Sequence, residues 1–519
     1  MKNRILLIFC ITNLLIGTLT AQQKDEIAIT NIKANLEFLA SDELEGREAT
    51  SRGEKIASLF IASELQKIGF KPFGDSGSYF QKFNMDVLGI NTNSQIKIVN
   101  KKGDATQFNI DADFLIDKRN LPDESFANKD VEVVFAGYGL TADELNYDDY
   151  KNLDVTGKVV LVLDGMPKVD NEEELNSQIR RNYGRWSSKI TNAQNRGAVG
   201  LLIVPGDEML ANWDRFSGWM MSPSFRMHEE EKSISEKHIP AVLLNEKTIE
   251  NLLDGEKHGY AALKECLTSN SIPGSFKIKK KVSFSYSTFR EIREARNVIG
   301  FLEGSDDILK NEFVSIGAHY DHLGKSEEVI FNGADDNGSG TVGVLEAVRT
   351  ISEARSNKRS IVAVFHTAEE KGLQGAKYAT ENSNFIKNTV VNINIDMVGR
   401  KSEDSIHCIG SDKLSAELYD IIESINKEKK YFYLDYRFND PDDPNRYYYR
   451  SDHLYYANKN IPIVFFYDYM QEDYHKFTDT VEKINFKKIM KAARLAHDIA
   501  LKIANLDHKL IVNKKDLAN

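Results

Sequence analysis

The hydrophobic and polar positions of this chain divide it into three parts. In the first part, apolar residues recur at helical spacing over residues 27–46 and 50–70, and a glycine lies near the end of each stretch, which predicts two amphipathic helices. From residue 77 onward, short β-type runs alternate with polar turns and predict strands. Beyond residue 285, apolar strands alternate with helices down to a last helix over 486–506.

This order of elements predicts an α/β fold in which one domain is interrupted by another. Alternating strands and helices predict a mixed, mostly parallel sheet sandwiched by helices. We expect residues 22–85 and 286–519 to form this domain, and residues 86–285 to form an inserted β-rich domain.

The first 21 residues have the layout of a secretory signal peptide. A short basic start with Lys2 and Arg4 precedes an apolar stretch, and the small residue Ala21 precedes a polar turn. A membrane anchor is the alternative, but the apolar run is short and no basic residues follow it directly. We therefore expect an exported protein, periplasmic or extracellular, without stable insertion in the membrane.

The composition restricts the possible binding partners and the types of side chain that could hold a metal ion. The formal charge is −11, from 67 basic and 78 acidic residues, which argues against nucleic acid or an anionic membrane surface as the main partner. Only Cys266 and Cys408 follow the predicted signal peptide. Two cysteines cannot form a disulfide framework or a cysteine-based metal site, so any metal must be held by histidine and carboxylate side chains.

Five segments of the last part place such side chains where strands are predicted to end. The residues are His319 with Asp321, Asp335 with Asp336, Glu369 with Glu370, Asp396, and His475. Loops at the carboxyl ends of parallel strands are where such sheets bind ligands. Each segment alone has an ordinary structural explanation, such as a helix cap or a solvated turn. Together, two histidines and several carboxylates suit two divalent ions, with zinc favoured by the mixture.

The same segments carry a family resemblance. In this order, "GAHYDHLG", "GADDNGSG", "HTAEEKGLQGA", "NIDMVGR" and "YHKFTDT" resemble the di-zinc aminopeptidase family (clan MH), which also contains glutamate carboxypeptidases and glutaminyl cyclases. The resemblance covers residues 286–519 and extends to "LASDELEGREATSRGEKIASLFIASELQKIGF" near the start. The middle block, with "VVFAGYGL" and "NRGAVGLLIV", resembles an inserted protease-associated (PA) domain.

The resemblance implies two Zn²⁺ ions per chain and a role for each matched residue. Asp335 would bridge the ions, His319 and Asp396 would complete one site, and Glu370 and His475 would complete the other. Asp321 would orient His319, Glu369 would be the general base, and Tyr474 is a candidate oxyanion donor beside rivals in "NRYYYRSDHLYY". Arg450 and Asp452 would contact substrate, whereas His322 and His366 match no ligand position and are interpreted as structural.

The leading hypothesis is a secreted di-zinc exopeptidase that removes amino-terminal residues from peptides. A carboxypeptidase of the same fold ranks second, because Arg450 and Arg446 offer a basic cluster for a terminal carboxylate. A glutaminyl cyclase ranks lower, since such enzymes typically work with one zinc ion. An inactive binding protein on the same fold ranks last, because no ligand position has been lost.

Overall fold

The computed structural model describes residues 23–118, 126–142, 147–167, 183–229, 239–268, 274–326, 329–469 and 471–513. The predicted signal peptide lies outside these residues. The chain forms two compact units: a discontinuous unit, Met1–Met85 with Arg293–Asn519, and an inserted unit, Asp86–Ile292. Within the described ranges, no helix combines the length and the apolarity needed to cross a bilayer.

The first segment of the discontinuous unit is mainly helical. It contains α1 (residues 23–39), a 3-10 turn (Asp42–Arg47), α2 (Arg52–Lys67), β1 (Lys71–Pro72) and β2 (Phe80–Ile90), which continues into the inserted unit. Helix α2 begins after Ser51, whose hydroxyl accepts a hydrogen bond from the backbone N–H of Glu54 at 3.1 Å. Its apolar residues Ala57, Ile61 and Leu65 follow at four-residue spacing and are buried.

The inserted unit is a mixed sheet with helices. Its strands are β3 (Gln95–Val99), β4 (Ala105–Asn109), β5 (Phe114–Ile116), β6 (Phe126–Ala127), β7 (Val131–Phe135), β8 (Thr141–Ala142), β9 (Tyr147–Asp148), β10 (Val159–Leu163), β11 (Gly200–Val204), β12 (Ser224–Met227), β13 (Ala241–Leu244) and β14 (Phe276–Tyr286). Its helices are α3 (Trp186–Asn195), α4 (Asp207–Ala211), α5 (Trp213–Met221), α6 (Glu246–Leu253) and α7 (Tyr260–Thr268).

Strands β7, β10, β11 and β13 run parallel. All residues of β10 and β11 are buried, which explains their continuous apolar sequences.

The last segment supplies most of the main sheet. Its strands are β15 (Thr288–Leu302), which begins in the inserted unit, β16 (Phe313–His319), β17 (Gly324–Lys325), β18 (Ile330–Phe331), β19 (Ser360–His366), β20 (Thr389–Asp396), β21 (Ser405–Ile409), β22 (Tyr433–Asp435) and β23 (Ile463–Tyr467). Its helices are α8 (Gly340–Ala354), α9 (Gln374–Asn382), α10 (Ala416–Lys429), α11 (His453–Ala457) and α12 (Phe486–Ala504).

Within the discontinuous unit, the main sheet has the order β2-β15-β19-β16-β20-β23-β21-β22, and β1 pairs with β15. Strand β16 pairs in parallel with β19 and β20, and β20 pairs in parallel with β23. Strand β15 joins β19 antiparallel, and β21 joins β23 antiparallel. The predicted mixed, mostly parallel sheet is therefore confirmed.

Helices cover both faces of this sheet. In β19, Ile361 and Phe365 belong to the apolar cluster that contains α8 and α12, whereas Val362 and Val364 belong to the cluster on the other face. Side chains alternate between faces along a strand, so a strand covered on both sides carries apolar residues at every position. The carboxyl ends of the central strands consequently reach one edge of a rigid, buried sheet.

Candidate metal centre

The central strands bring the predicted metal ligands to one edge of the sheet. His319 is the last residue of β16 and Asp396 is the last residue of β20. Glu369 and Glu370 follow β19, which lies beside β16, and Asp336 lies in the turn that leads into α8. These strands are parallel, so their carboxyl ends, and the polar residues there, lie close together.

Unusual backbone conformations aim several of these side chains. Ala368, directly before Glu369, has φ 55°, and Met397, directly after Asp396, has φ 49°. His475 itself has φ 55°. A positive φ costs a residue with a Cβ roughly 1–2 kcal/mol and persists only where the surroundings enforce it. The loops at this edge are thus held in conformations that the chain would not adopt alone.

One group of ligand atoms surrounds His319. Its Nε2 lies 3.3 Å from Oδ1 of Asp396, 3.6 Å from Oδ1 of Asp336 and 3.9 Å from Oε2 of Glu369. Ligand atoms of His319, Glu369 and Asp396 all lie within 4.8 Å of one another, as a metal site requires. His319 is 1% exposed, so the group is largely shielded from solvent.

A second group surrounds Glu370. Its Oε2 lies 3.1 Å from Nε2 of His475, and its Oε1 lies 2.9 Å from Nδ1 of His322. Oδ2 of Asp336 lies 3.3 Å from the same His475 nitrogen and 3.8 Å from Nδ1 of His322. Asp336 therefore presents one carboxylate oxygen to His319 and the other to His475, which is the geometry of a residue shared by two sites.

This geometry corrects the predicted bridging residue, because Asp336 and not Asp335 joins the two groups. The Oδ1 of Asp335 accepts a hydrogen bond from the N–H of Gly399 at 2.8 Å. The N–H groups of both aspartates donate to Asp479, Asp335 at 3.0 and 3.1 Å and Asp336 at 3.1 Å. The Asp335 side chain thus anchors the loop after β20, while the Asp336 carboxylate lies between the histidines.

The interpretation of His322 as structural is also incomplete, since its ring belongs to the second group. The signal in the sequence was its position directly after Asp321 in "HYDH". His366 lies apart from both groups: its Nε2 is 3.3 Å from the hydroxyl of Tyr456, and burial lowers its pKa to about 3. This environment fits the structural role predicted for His366.

Neighbouring groups orient the ligand side chains. Asp321 accepts hydrogen bonds from the N–H groups of Glu369 (3.1 Å) and Glu370 (3.4 Å), and its carboxylate lies 3.7 Å from Nδ1 of His319. Nδ1 of His319 is also 3.2 Å from the Asp321 carbonyl. The hydroxyl of Ser451 donates to Oδ2 of Asp396 at 2.8 Å. Such contacts fix the tautomer and the orientation of a metal-binding imidazole or carboxylate.

The two adjacent glutamates have opposite electrostatic environments. Burial raises the pKa of Glu369 well above its usual value, and the nearby carboxylates of Glu370 and Asp396 add to the effect. Burial also favours a neutral Glu370, but hydrogen bonds from His322 and His475 outweigh it and hold the pKa of Glu370 well below its usual value. One carboxyl group therefore retains a proton readily, while its neighbour stays ionised.

The residues present fit a pair of metal ions. Oδ1 of Asp396 is buried and has no hydrogen-bond partner among the described residues. Buried polar atoms are normally satisfied, so this oxygen is available to coordinate a cation. Imidazole nitrogens and carboxylate oxygens are the donors that zinc accepts.

The wall of the site is aromatic and carries one exposed cation. Tyr447, Tyr467 and Tyr474 line it together with Met397, Phe465 and Arg450. The Tyr474 ring stacks on His475, with 3.8 Å between ring centroids, and Nη2 of Arg450 lies 3.4 Å from the Tyr474 hydroxyl. Burial raises the pKa of Tyr474 above its usual value, so its hydroxyl keeps a proton to donate.

Asp452 occupies a different position from the one predicted. It is 1% exposed, and its carboxylate oxygens have no hydrogen-bond partner in the described part of the chain. Burial raises its pKa to about 8, with Asp396 and Asp321 adding to the effect of burial and His319 opposing it. A side chain this buried is out of reach of a peptide, which contradicts the predicted direct contact with substrate.

Comparison with protein families points to the region that contains the candidate metal centre. The profile of Peptidase family M28 matches residues 297–500, and the profile of the PA domain matches residues 129–252. The predicted resemblance to a metallopeptidase domain carrying an inserted PA domain is thereby confirmed.

Individual relatives agree with this result. Aminopeptidase YwaD of Bacillus subtilis is 35% identical over 111 residues, which are 21% of this chain and 23% of that protein. The curated relatives that the chain matches are covered over 23–58% of their own length. The structure of an aminopeptidase from Aneurinibacillus sp. strain AM-1 matches with a TM-score of 0.56 at 19% identity, covering 94% of this chain and 96% of that chain. BSAP, a zinc aminopeptidase from Bacillus subtilis, matches with a TM-score of 0.53 at 18% identity over 91% of this chain and 94% of that chain. At such identities the structures establish a common fold.

Proposed function

We propose that this chain, whose residues 297–500 match the profile of Peptidase family M28, is a zinc-dependent aminopeptidase that binds two metal ions. The observation that carries the proposal is the position of Asp336, with one carboxylate oxygen facing His319 and the other facing His475. The relative Aminopeptidase YwaD, 35% identical over 111 residues, supports the same reaction class, and the two solved aminopeptidase structures support the fold.

The proposed ligands divide into two sets that share Asp336. His319 and Asp396 would hold one zinc ion, and Glu370 and His475 would hold the other. His322 donates a hydrogen bond to Glu370 and keeps that carboxylate in place. When bound, two such cations polarise the scissile carbonyl and lower the pKa of the attacking water.

In this proposal Glu369 moves the proton. Its carboxylate oxygen lies 3.9 Å from Nε2 of His319, and the two proposed ligand sets are complete without it, so it is available as a general base. Glu369 accepts a proton from the attacking water and passes it to the leaving amine. Burial raises the pKa of its carboxyl group, which makes the ionised form a stronger proton acceptor than an ordinary carboxylate.

Tyr474 is proposed to stabilise the oxyanion. Its hydroxyl is directed toward Arg450, and its ring is fixed by stacking on His475. A donor that is oriented before the reaction contributes more than one that must reorganise. Carboxylates around the site, such as Glu369 and Asp396, create the negative potential that a substrate's free amino terminus requires.

A carboxypeptidase is the second candidate, and Arg450 is the observation that favours it. Arg450 is exposed at the aromatic wall of the site and carries a charge that matches a peptide's terminal carboxylate. The two candidates differ only in which end of the peptide is recognised.

A panel of peptides with free or acetylated amino termini tests the proposal. We expect the mature protein to release amino-terminal residues from free-amine peptides only, to stop after chelation and to resume with added zinc. Release of carboxyl-terminal residues from acetylated peptides would establish the carboxypeptidase instead. Inactivity on all peptides with two zinc ions bound would overturn both candidates.

We also propose that the protein is exported after removal of residues 1–21. The support is the layout of that segment, with its basic start, apolar stretch and small residue Ala21. Amino-terminal sequencing of protein from the periplasm and the medium is expected to begin at Gln22. Intact protein confined to the cytoplasm would contradict export.

A further inference from the structure

A buried arginine of the first segment contacts the loops of the metal centre. Arg47 is 1% exposed, and its guanidinium donates only to backbone carbonyls among the hydrogen bonds described. Nε donates to Tyr320 at 2.8 Å, Nη2 to Gly333 at 2.9 Å, and Nη1 to Asn332 at 2.6 Å and to Leu39. Five donors fixed in a plane can bind several carbonyls at once, which no other side chain can do.

Two of these carbonyls belong to the loops that carry metal ligands. Tyr320 lies between His319 and Asp321, and Gly333 lies three residues before Asp336. One side chain therefore links the loop after β16 to the turn before α8. These are the loops that place His319 and Asp336 3.6 Å apart.

The adjoining backbone extends the contact to the remaining loops. The carbonyl of Arg47 accepts a hydrogen bond from the N–H of His322 at 3.3 Å, and Glu48 forms a parallel bridge with His322. The Glu48 carboxylate also pairs with Nζ of Lys371 at 2.7 Å, directly after Glu370. Residues 47–48 thus contact the loops that carry His319, His322, Asp336 and Glu370.

The chain turns sharply to bring Arg47 inward. Glu45, Gly46 and Arg47 have φ values of 47°, 70° and 50°. A Cβ at Gly46 would lie 2.1 Å from the carbonyl oxygen of Gly324, so only glycine fits there. Two non-glycine residues with strained backbone, one on each side of Gly46, are maintained only if the arrangement they produce is stabilised elsewhere.

We propose that Arg47 is a positioning residue that holds the His319 and Asp336 loops at the separation needed to bind two zinc ions. This inference rests on the proposed function for the identity and the number of the metal ions. Arg47 buries a full charge against backbone carbonyls and beside four carboxylates. Burying a charge is costly, and this cost is explained if the contacts of Arg47 set the geometry of the metal site.

Arg359 provides a matched control at the opposite edge of the same sheet. It is 1% exposed, it directly precedes β19, and its guanidinium also donates to carbonyls, those of Ile503 (3.1 Å), Leu506 (2.5 Å) and His508 (2.9 Å). Its Nε pairs with Glu312 at 2.8 Å. Both arginines therefore stabilise loops, but only Arg47 contacts the loops with metal ligands.

The test compares Arg47→Lys with Arg359→Lys in the mature protein. Zinc affinity is measured by competition with a chromogenic chelator, zinc content by elemental analysis after dialysis, and Tm by thermal unfolding. We expect Arg47→Lys to weaken zinc binding about 10- to 100-fold, the usual effect of losing a group that orients a ligand. We expect kcat to fall while KM changes less than about twofold, because ground-state peptide contacts remain. Arg359→Lys is expected to lower Tm with unchanged zinc affinity.

Equal zinc affinity in Arg47→Lys and wild type, or equal loss in both arginine variants, would overturn the proposal. If Arg47→Lys does not fold, Glu48→Gln removes only the ion pair with Lys371 and is expected to weaken zinc binding by a smaller factor; unchanged affinity there also counts against the proposal. Zinc binding by wild type without peptide hydrolysis would refute the proposed function alone. Absence of zinc binding by wild type would refute both.

Discussion

The two units contain the same architectural feature, a set of parallel strands, and differ at its carboxyl edge. After β10 of the inserted unit, Asp164 accepts a hydrogen bond from the Trp186 indole at 2.7 Å. After β13, Asn245 caps α6 by accepting from the N–H of Thr248 at 2.9 Å. In the discontinuous unit, the corresponding edge holds Asp396, whose buried Oδ1 lacks a partner among the described residues, and Asp336, whose carboxylate lies between His319 and His475.

The difference shows how a site is added to a fold. In the inserted unit, polar groups after the strands complete turns and caps, which stabilises the structure. Within the described ranges, the groups of three or more potential metal ligands lie in the discontinuous unit. The carboxylates and imidazoles clustered at that edge have the geometry to coordinate a cation instead. The fold alone therefore does not specify chemistry, and the clustered ligand atoms do.

The variant Asp336→Asn and the matched variant Asp164→Asn test most directly whether the carboxyl edges of the two units differ in metal binding. An amide at position 336 cannot share two negative oxygens, so we expect at most one zinc ion per chain and an activity loss of about 10⁴-fold or more. Elemental analysis and peptide hydrolysis measure both effects. Asp164→Asn is expected to keep two zinc ions, and two ions in Asp336→Asn would show that Asp336 is not shared.

Substitutions of the adjacent glutamates, Glu369 and Glu370, are expected to separate the effects on proton transfer from those on metal binding. Glu369→Gln is expected to keep both zinc ions and to lose about 10²- to 10⁴-fold in kcat, because it removes the base. Glu370→Gln is expected to lose zinc from the site of His475, since these two residues lie 3.1 Å apart and are the proposed ligands of one ion. Normal turnover by zinc-loaded Glu369→Gln would assign the base to another group.

The sequence predicted the fold because burial leaves a periodic signal. Parallel strands covered on both faces need apolar residues at most positions, and residues 361–365 of β19 show this in the sequence. Position at a strand end likewise identified His319 and Asp396. These predictions needed only local sequence and the rule that parallel strands end at one edge.

The orientation of side chains and the contacts between residues distant in sequence leave no periodic signal of this kind. Asp335 and Asp336 are chemically identical neighbours, and only the course of the turn before α8 decides which carboxylate lies between the histidines. Arg47 lies 273 positions before Tyr320, whose carbonyl it contacts, so its role depends on how the first segment packs. Asp452 matched a motif, but its burial followed from the packing of α11 and not from sequence.

A smaller effect is expected from Tyr474→Phe, which keeps the ring on His475 and removes the hydroxyl. We expect kcat to fall about 10²-fold with both zinc ions retained, as for the loss of one oxyanion donor. Tyr433→Phe, on an exposed strand of the same unit, is the control and is expected to leave kcat unchanged. Unchanged kcat in Tyr474→Phe would transfer the role to another tyrosine of the wall, such as Tyr467.

The smallest predicted effect is on thermal stability. It concerns one buried ionisable side chain in each of the two units. In the inserted unit, Nζ of Lys189 is satisfied by the carbonyls of Tyr138 at 2.6 Å and Gly165 at 2.8 Å. In the discontinuous unit, Glu54 contacts the Tyr320 hydroxyl through Oε1, while its Oε2 is buried without a partner in the described residues. Burial raises the pKa of Glu54 to about 7. Tyr320 also lies 2.6 Å from the carbonyl of Arg296 and has one hydrogen to donate, so a protonated Glu54 completes the network.

Glu54→Gln keeps the shape of this protonated side chain at every pH. A carboxyl group whose folded-state pKa is raised destabilises the fold once it must ionise, so the wild type loses stability as pH rises from about 4.5 to 7. The full difference is about 3 kcal/mol, and the variant avoids it. We therefore expect the Tm of Glu54→Gln minus that of wild type to increase by several degrees between pH 5 and pH 8, at one fixed zinc concentration. The exposed change Glu43→Gln is the control and is expected to show no such trend. A Tm difference for Glu54→Gln that is constant with pH would mean that Glu54 is ionised in the folded protein throughout, and that both units satisfy their buried charges equally well.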